Sequence, residues 1–100
     1  MHQEHVALVN WFRNKWFFRI CGSDDAIYLI LNSSMDSRLY VIFKSDEIRL
    51  SHIIYYVNLD LKFNIQDSTI ELKIADPELF NKIEKYTEKC LSEAKNIRNA

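Results

Sequence analysis

The chain has 100 residues, of which 48% are hydrophobic and 13% are aromatic, and its 13 basic side chains nearly balance 14 acidic ones. This length and composition predict a single globular domain, residues 1–100, and exclude a disordered chain. The net charge of -1 excludes an overall field that would attract nucleic acid or an anionic membrane, so any such binding requires a local patch.

The cysteine content and the lengths of the apolar runs predict the cellular compartment of the protein. Cys21 and Cys90 lie far apart, with no CxxC pattern or Cys/His ladder around them. Small secreted domains are usually denser in disulfides, so we expect a reducing environment. The first 15 residues show no cleavable signal pattern, and no run reaches the 18 or so apolar residues of a membrane span. We therefore expect a cytoplasmic protein that has no membrane partner.

The N-terminal segment contains the stretch NWFRNKWFFRICG, residues 10–22, which holds both tryptophans and three phenylalanines. Apolar residues first keep helical spacing on one face, and Trp11 projects from the opposite side. After Lys15 the apolar residues alternate as in a strand. Either the helix continues to Gly22, or it ends near Asn14 and a strand follows, which we favour. The predicted buried face consists of Val6, Leu8, Val9, Phe12 and Trp16.

Four segments in the middle of the chain have the patterns of strands. Residues 25–32 and 38–44 are apolar on both alternating faces, which predicts strands covered on both sides of a sheet. Residues 57–66 and 69–75 alternate between apolar and polar side chains, which predicts strands with one wet face. The polar residues 66–68 between them predict a hairpin turn.

The segment SDEIRLSHIIYY, residues 45–56, fits two kinds of structure. Ser45 followed by two acidic residues is a pattern typical of a helix N-cap. Alternate residues from Ile48 to Tyr56 are also spaced as in a strand. We favour a short helix after Lys44.

The C-terminal segment has the signature of a helix start, with Asp76 as N-cap, Pro77 at the first helical position and Glu78 near the positive end of the dipole. Apolar residues then recur every three or four positions, which predicts an amphipathic helix packed on the sheet. This stripe consists of Phe80, Ile83, Thr87, Cys90, Ala94 and Ile97, broadened by Leu79, Tyr86 and Leu91. The predicted fold class is α+β: an N-terminal helix, an antiparallel meander of four to five strands, and a C-terminal helix.

The sequence has no recognisable catalytic or cofactor motif. Cys21 or Ser51 could pair with His52 as nucleophile and base, but no local signature supports either pair. One glycine is too few for a phosphate-binding loop. His2 and His5 are three positions apart, and a metal would need a third ligand. We therefore predict a protein that is not an enzyme and that holds no cofactor and no metal.

The aromatic and basic cluster near the N-terminus is the main candidate for function. Aromatic rings flanked by cations stack single-stranded nucleic acid, or they form the buried centre of a protein interface. Three clustered cations are few for nucleic acid, so we favour a protein partner and expect a homodimer. The predicted contact residues are Trp11, Arg13, Lys15 and Phe17, with Tyr55 and Tyr56 as a second patch.

The order of the predicted elements resembles that of the compact α+β chaperones that escort type III secretion effectors as homodimers. The resemblance lies in topology alone and implies a dimer that binds another protein. Small inhibitor and immunity proteins of bacteria and phages fit the same order of elements. We therefore expect a domain that inhibits, neutralises or chaperones a larger protein.

Overall fold

The computed structural model describes residues 3–20, 25–32, 37–57 and 63–98, with side chains for 5–16, 25–32, 37–54 and 68–96. Two helices flank five strands along the chain. The elements are α1 Gln3–Lys15, β1 Phe17–Ile20, β2 Ala26–Ile30, β3 Ser37–Phe43, β4 Glu47–Val57, β5 Phe63–Lys73 and α2 Leu79–Arg98. This arrangement confirms the predicted α+β fold class.

The five strands form one antiparallel sheet in the order β1-β2-β3-β4-β5. Each strand therefore pairs with its neighbour in sequence, and side chains along each strand alternate between the two faces of the sheet. Val41 pairs with Ile27 on the face that the helices cover, which we call the inner face. Tyr40 pairs with Tyr28 on the opposite face, which we call the outer face.

Both helices pack on the inner face and close one hydrophobic core. α1 contributes Leu8 and Phe12, and α2 contributes Leu79, Ile83 and Cys90. The sheet contributes Ile27, Leu29, Leu39, Val41, Phe43, Ile48 and Leu50, and Leu31, directly after β2, joins them. A fully buried aliphatic or aromatic side chain contributes about 1.5–3 kcal/mol, so this layer is the main force that holds the helices on the sheet.

The first helix ends where the favoured interpretation placed it. α1 ends at Lys15 and a strand begins at Phe17, so a helix that continues to Gly22 is wrong. The backbone N–H of Trp16 donates to the carbonyl of Phe12 at 3.0 Å, which closes the last turn. The basic residues Arg13 and Lys15 lie in that turn, where the helix dipole favours positive charge.

The buried face of α1 differs from the predicted one at its start. Val6 is 45% exposed, and His5 is buried instead. The Nε2–H of His5 donates to the carbonyl of Lys44 at 2.9 Å, and its ring centroid lies 5.1 Å from that of Phe43. Hydrophobic spacing did not predict this because a histidine becomes a core residue only when its polar atom finds a partner, here 39 residues away.

Two predictions about the middle of the chain are wrong. The predicted short helix after Lys44 is strand β4, and the predicted hairpin at residues 66–68 lies inside strand β5. Strands β4 and β5 pair without a break from Glu47 and Lys73 to Val57 and Phe63. An N-cap serine contributes about 1 kcal/mol, which is small beside a ladder of eleven residues on each strand. The connection between these strands, residues 58–62, lies outside the described residues.

The second helix is capped as predicted. The carboxylate of Asp76 accepts a hydrogen bond from the backbone N–H of Glu78 at 2.8 Å and forms an ion pair with Lys82. Lys82, and then the backbone of Glu78, hold the pKa of Asp76 below its usual range. The regular helix begins at Leu79, which is buried, whereas Phe80 of the predicted stripe is 43% exposed.

The prediction that strands β2 and β3 are covered on both sides of the sheet is wrong. Among the described elements, the helices cover these strands on the inner face alone. Their inner-face residues are buried, whereas Tyr28, Ile30, Tyr40 and Ile42 on the outer face are half-buried. No described helix packs on the outer face, because both helices belong to the inner-face core. Packing against a described helix therefore does not explain why the outer-face residues of these strands are apolar.

Candidate protein-binding surface

The outer face carries a contiguous group of apolar and aromatic residues on three neighbouring strands. The register places Ile30, Arg38 and Ile53 in one cross-strand row, and Tyr28 and Tyr40 in the next. All of these side chains are half-buried, as is Ile42 in the row beyond. We call this group the outer-face patch: Tyr28, Ile30, Arg38, Tyr40, Ile42 and Ile53.

The two tyrosines of the patch are held in place by their neighbours. The ring centroids of Tyr28 and Tyr40 lie 6.5 Å apart at an interplanar angle of 63°, an edge-to-face arrangement. Arg38 Nη1 donates to the hydroxyl of Tyr28 at 2.9 Å, and its guanidinium carbon lies 5.7 Å from the centroid of the Tyr28 ring. Rings that are already ordered lose little conformational entropy on binding, which favours contact with a partner.

The charged side chains beside the patch neutralise one another. Arg49 donates from Nε and Nη2 to one carboxylate oxygen of Glu71, at 3.1 and 2.9 Å. Lys44 lies 3.7 Å from the same carboxylate, and Arg49 and then Lys44 lower the pKa of Glu71. Lys73 lies 3.6 Å from the carboxylate of Glu47. The outer face therefore has an apolar part next to a polar part with balanced charges, as a protein interface has a core and a rim.

The predicted contact residue Trp11 lies on the helical side of the molecule. Its ring centroid is 4.9 Å from that of Phe80 and 5.7 Å from that of Trp16. Lys15 Nζ lies 4.8 Å from the ring and forms an ion pair with Glu84 on α2. Trp11 is therefore half-buried where the two helices meet, with the rings of Phe80 and Trp16 against its own.

The six sequence-predicted contact residues lie in three different places. Trp11, Arg13 and Lys15 lie on α1, where Arg13 and Lys15 are exposed. Phe17 pairs with Ile30, so the register places it in the row of the outer-face patch. Tyr55 follows two residues after Ile53 on β4 and belongs to the outer face, whereas Tyr56 alternates to the inner face. The side chains of Phe17, Tyr55 and Tyr56 lie outside the described part of the chain.

The sequence does not reveal most of the outer-face patch, because apolar residues on both faces of a strand predict a strand that is covered on both faces. The number of predicted helices, compared with the two faces of the sheet, indicates that one face has no helix to cover it. Two helices that are both needed to close one core leave none for the second face of a five-stranded sheet. Among the described elements, none then remains to cover the apolar outer face.

A serine, a histidine and an acid also meet inside the fold. Ser37 Oγ lies 2.7 Å from Nε2 of His52, and Nδ1 of His52 lies 3.6 Å from a carboxylate oxygen of Glu93. These are the residue types of a nucleophilic triad, but Ser37 is 0% and His52 1% exposed, so no substrate carbonyl reaches the hydroxyl in this arrangement. Ser51 lies on the outer face, where it bonds to Thr69 at 3.1 Å, so it does not pair with the ring of His52.

Within the described residues, no group of three or more histidine, cysteine or acidic side chains is arranged to hold a metal ion. His5, one of the two histidines considered as ligands, uses its Nε2 on the carbonyl of Lys44. His2 lies outside the described part of the chain. Neither described helix is both long enough and apolar enough to cross a membrane.

Comparisons with known proteins do not add a family to this description. No family model matches the sequence, and no curated protein or solved structure matches the chain.

Proposed function

We propose that this protein is a non-enzymatic protein-binding domain and that it binds its partner through the outer-face patch. One observation carries the proposal: the outer face of the sheet presents two ordered tyrosines, three isoleucines and an arginine, and no described helix covers them. Aromatic residues and arginine are enriched in the centres of protein interfaces, where charged residues are depleted.

The size of the outer face supports a protein partner. Five strands about 4.8 Å apart, each contributing about seven residues at about 3.4 Å, give a face of roughly 600 Å² before the relief of the side chains is counted. A standard protein interface buries about 800 Å² on each partner. One face of this sheet is therefore of the right order for a specific complex.

The balanced charges favour protein over single-stranded nucleic acid. Stacking of bases on Tyr28 and Tyr40 is sterically reasonable, but binding of a strand also requires cations for its phosphates. Arg49 is engaged by Glu71, and Lys73 by Glu47 and Asp46. Arg49 and Lys73, which lie beside the patch, therefore attract phosphates only weakly, because each already has an acidic partner.

We further propose that the domain acts by covering part of a larger protein in the cytoplasm, as an inhibitor, an immunity factor or a chaperone. The open face of a sheet on a domain of 11.9 kDa suits the masking of a surface rather than the enclosure of a small ligand. The described cysteine, Cys90, is a free and buried thiol, which fits a reducing compartment.

The proposal is tested by capturing the partner from the native host on immobilised wild-type protein and identifying it by mass spectrometry. The purified partner is then titrated with Tyr40→Ala and Ile42→Asp, and with Val6→Asp as a control that introduces the same charge on an exposed α1 position. We expect the outer-face variants to weaken binding by about 30-fold or more, the effect of losing a hot-spot residue of about 2 kcal/mol. We expect Val6→Asp to bind as the wild type does.

The competing surface on the helices is tested with Trp11→Ala. If this variant lost the partner while a folded Ile42→Asp retained it, the binding surface would be the aromatic cluster on α1 and the proposal for the outer face would be wrong. Quenching of tryptophan fluorescence by an oligonucleotide, reversed by salt, would favour the nucleic-acid alternative.

A further inference from the structure

The last strand of the sheet, β5, forms one edge of the described sheet over its whole length. It has 11 residues, whereas the strand at the other edge, β1, has four. Strands in globular proteins are usually about five or six residues long, and natural proteins commonly shorten or block their edge strands. Strand β1 follows that rule and β5 does not.

The hydrogen-bond pattern shows which backbone groups of β5 point to the edge. The N–H of Ile74 donates to the carbonyl of Asp46 at 2.9 Å, in register with the β4 ladder. Hydrogen-bonded pairs recur at every second residue of an antiparallel ladder, so Ile70 and Leu72 also bond to β4. The N–H and C=O of Glu71, between them, are directed towards the edge of the sheet.

The charges of β5 are directed back into the sheet rather than across its edge. Glu71 is held by Arg49, and Lys73 lies 3.3 Å from Asp46 and 3.6 Å from Glu47. Charged side chains that project over an edge are a common means of blocking it. Here they are occupied by neighbours on the same sheet and the same turn.

Two apolar side chains of β5 are left incompletely covered at this edge. Ile70 and Leu72 pack against the inner-face core but remain half-buried. A further strand beside β5 would cover both side chains and continue the inner apolar layer. The edge thus provides backbone hydrogen-bonding groups and half-covered apolar side chains at the same place.

We propose that β5 is a dimerisation edge, at which the β5 strands of two copies pair antiparallel about a two-fold axis and join the sheets into one of ten strands. The register that suits the sequence is centred on Ile70, which then faces its own copy. Lys73 is placed opposite Asp67, and Glu71 opposite Thr69. Centring on Glu71 would place that acid opposite itself, and centring on Thr69 would place Glu71 opposite Asp67; like charges directly opposite destabilise a sheet. Centring on Leu72 would pair only residues 71–73 of the strand, and centring on Ser68 would place the apolar Ile70 opposite Gln66.

This dimer goes beyond the binding function proposed above. The two outer-face patches lie on one side of the joined sheet, because neighbouring strands share their faces. A partner with two contact sites, or a partner that is itself dimeric, is then bound twice and gains affinity through the higher effective concentration of the second patch. The dimer contact at β5 does not involve the outer-face patch. Dimerisation at β5 and partner binding at the patch can therefore each be refuted without refuting the other.

The first test is the mass in solution, measured by light scattering coupled to gel filtration at high micromolar concentration. We expect twice the monomer mass of 11.9 kDa for the wild type and for Ile42→Asp, whose change lies on the outer face. We expect Glu71→Pro to be monomeric and folded, because proline removes an N–H at the edge and leaves the β4 ladder intact. A monomeric wild type, or an Ile42→Asp variant that dissociates, would overturn the pairing at β5.

The second test introduces one new cysteine at a time into a Cys21→Ser background, in which the native Cys90 remains but is buried. Two copies of Ile70→Cys face each other in a pair without direct hydrogen bonds, with Cα atoms about 4.5 Å apart, which is within the range of a disulfide. Two copies of Leu72→Cys are offset by four residues, about 14 Å, and form the matched control on the same face. Rapid cross-linking of the Ile70 variant alone supports the register. Cross-linking of the Leu72 variant instead, or of neither variant, contradicts it.

Discussion

Replacing Val41 and Ile42 by aspartate, one at a time, tests whether the two faces of the sheet differ as described. The residues are neighbours on β3 and point to opposite faces. Val41 is 0% exposed and pairs with Ile27 and Leu50, which are also completely buried. Ile42 is half-buried and pairs with Arg49, a cation that can face the new carboxylate.

The two substitutions are expected to lower the free energy of unfolding by very different amounts. At Val41 the change removes about 1.5–3 kcal/mol of burial and places a carboxyl group in the core without a partner, for a total on the order of 5 kcal/mol or more. The whole stability of a domain of this size is about 5–15 kcal/mol, so we expect Val41→Asp to be unfolded or nearly so. At Ile42 the loss of partial burial and of strand propensity comes to about 1 kcal/mol, which lowers Tm by about 4–8 °C.

The measurement is urea denaturation and thermal melting of both variants, followed by circular dichroism, at a concentration low enough to keep them monomeric. We expect a cooperative transition close to that of the wild type for Ile42→Asp and little native signal for Val41→Asp. Equal and severe losses in the two variants would show that the outer face is covered within the chain, and the binding surface proposed for it would no longer stand.

Three further predictions concern the inner face. Ser37→Ala removes the hydroxyl that meets His52 and leaves the buried ring nitrogen without its partner, so the free energy of unfolding should fall by about 1–3 kcal/mol in urea titrations; an unchanged value would refute the role assigned to this pair. Burial raises the pKa of the Cys90 thiol to about 12, so in a Cys21→Ser background the native protein should not react with a thiol reagent at pH 8 and should react fully once unfolded. Burial also raises the pKa of Tyr86 to about 12. The unfolded thiol and phenol ionise at about pH 8.5 and 10 while the folded groups stay protonated, so the free energy of unfolding should hold below about pH 8 and decline as pH rises towards 12. A denaturation midpoint that stays constant over this range would contradict the burial assigned to Cys90 and Tyr86.

The features that could be predicted from the sequence are those set by nearby residues. The cap at Asp76 depends on a backbone group two residues away. The end of α1 depends on the change from helical to alternating spacing after Lys15. The order of helices and strands follows from such local signals, which is why the α+β class was predicted correctly.

The features that were missed depend on contacts between distant parts of the chain. The strand at residues 47–57 is fixed by pairing with β3 and β5, which outweighs a local helix signal at Ser45. His52 finds Ser37 on the neighbouring strand, and Trp11 finds Phe80 on the other helix. Sequence spacing tells which side chains share a face of an element, but it does not tell which element lies against that face.

The outer-face patch belongs to this second kind of feature. Its residues come from three strands and are brought together by the register alone. The sequence-based candidates on α1 were chosen because they are adjacent in the chain, and the structure places that group on the helical side of the molecule. Phe17, which pairs with Ile30, and Tyr55, two residues after Ile53, are the candidates that the register places on the outer face.

Binding at the outer face is tested most directly by an NMR titration of the isoleucine-methyl-labelled protein with its captured partner. We expect large chemical-shift changes for the methyl groups of Ile30, Ile42 and Ile53, and small ones for the buried Ile48 and Ile83. The indole N–H signals of the two tryptophans report on the helical side in the same spectra. Shifts concentrated on those indole signals, with the outer-face isoleucines unchanged, would contradict the account.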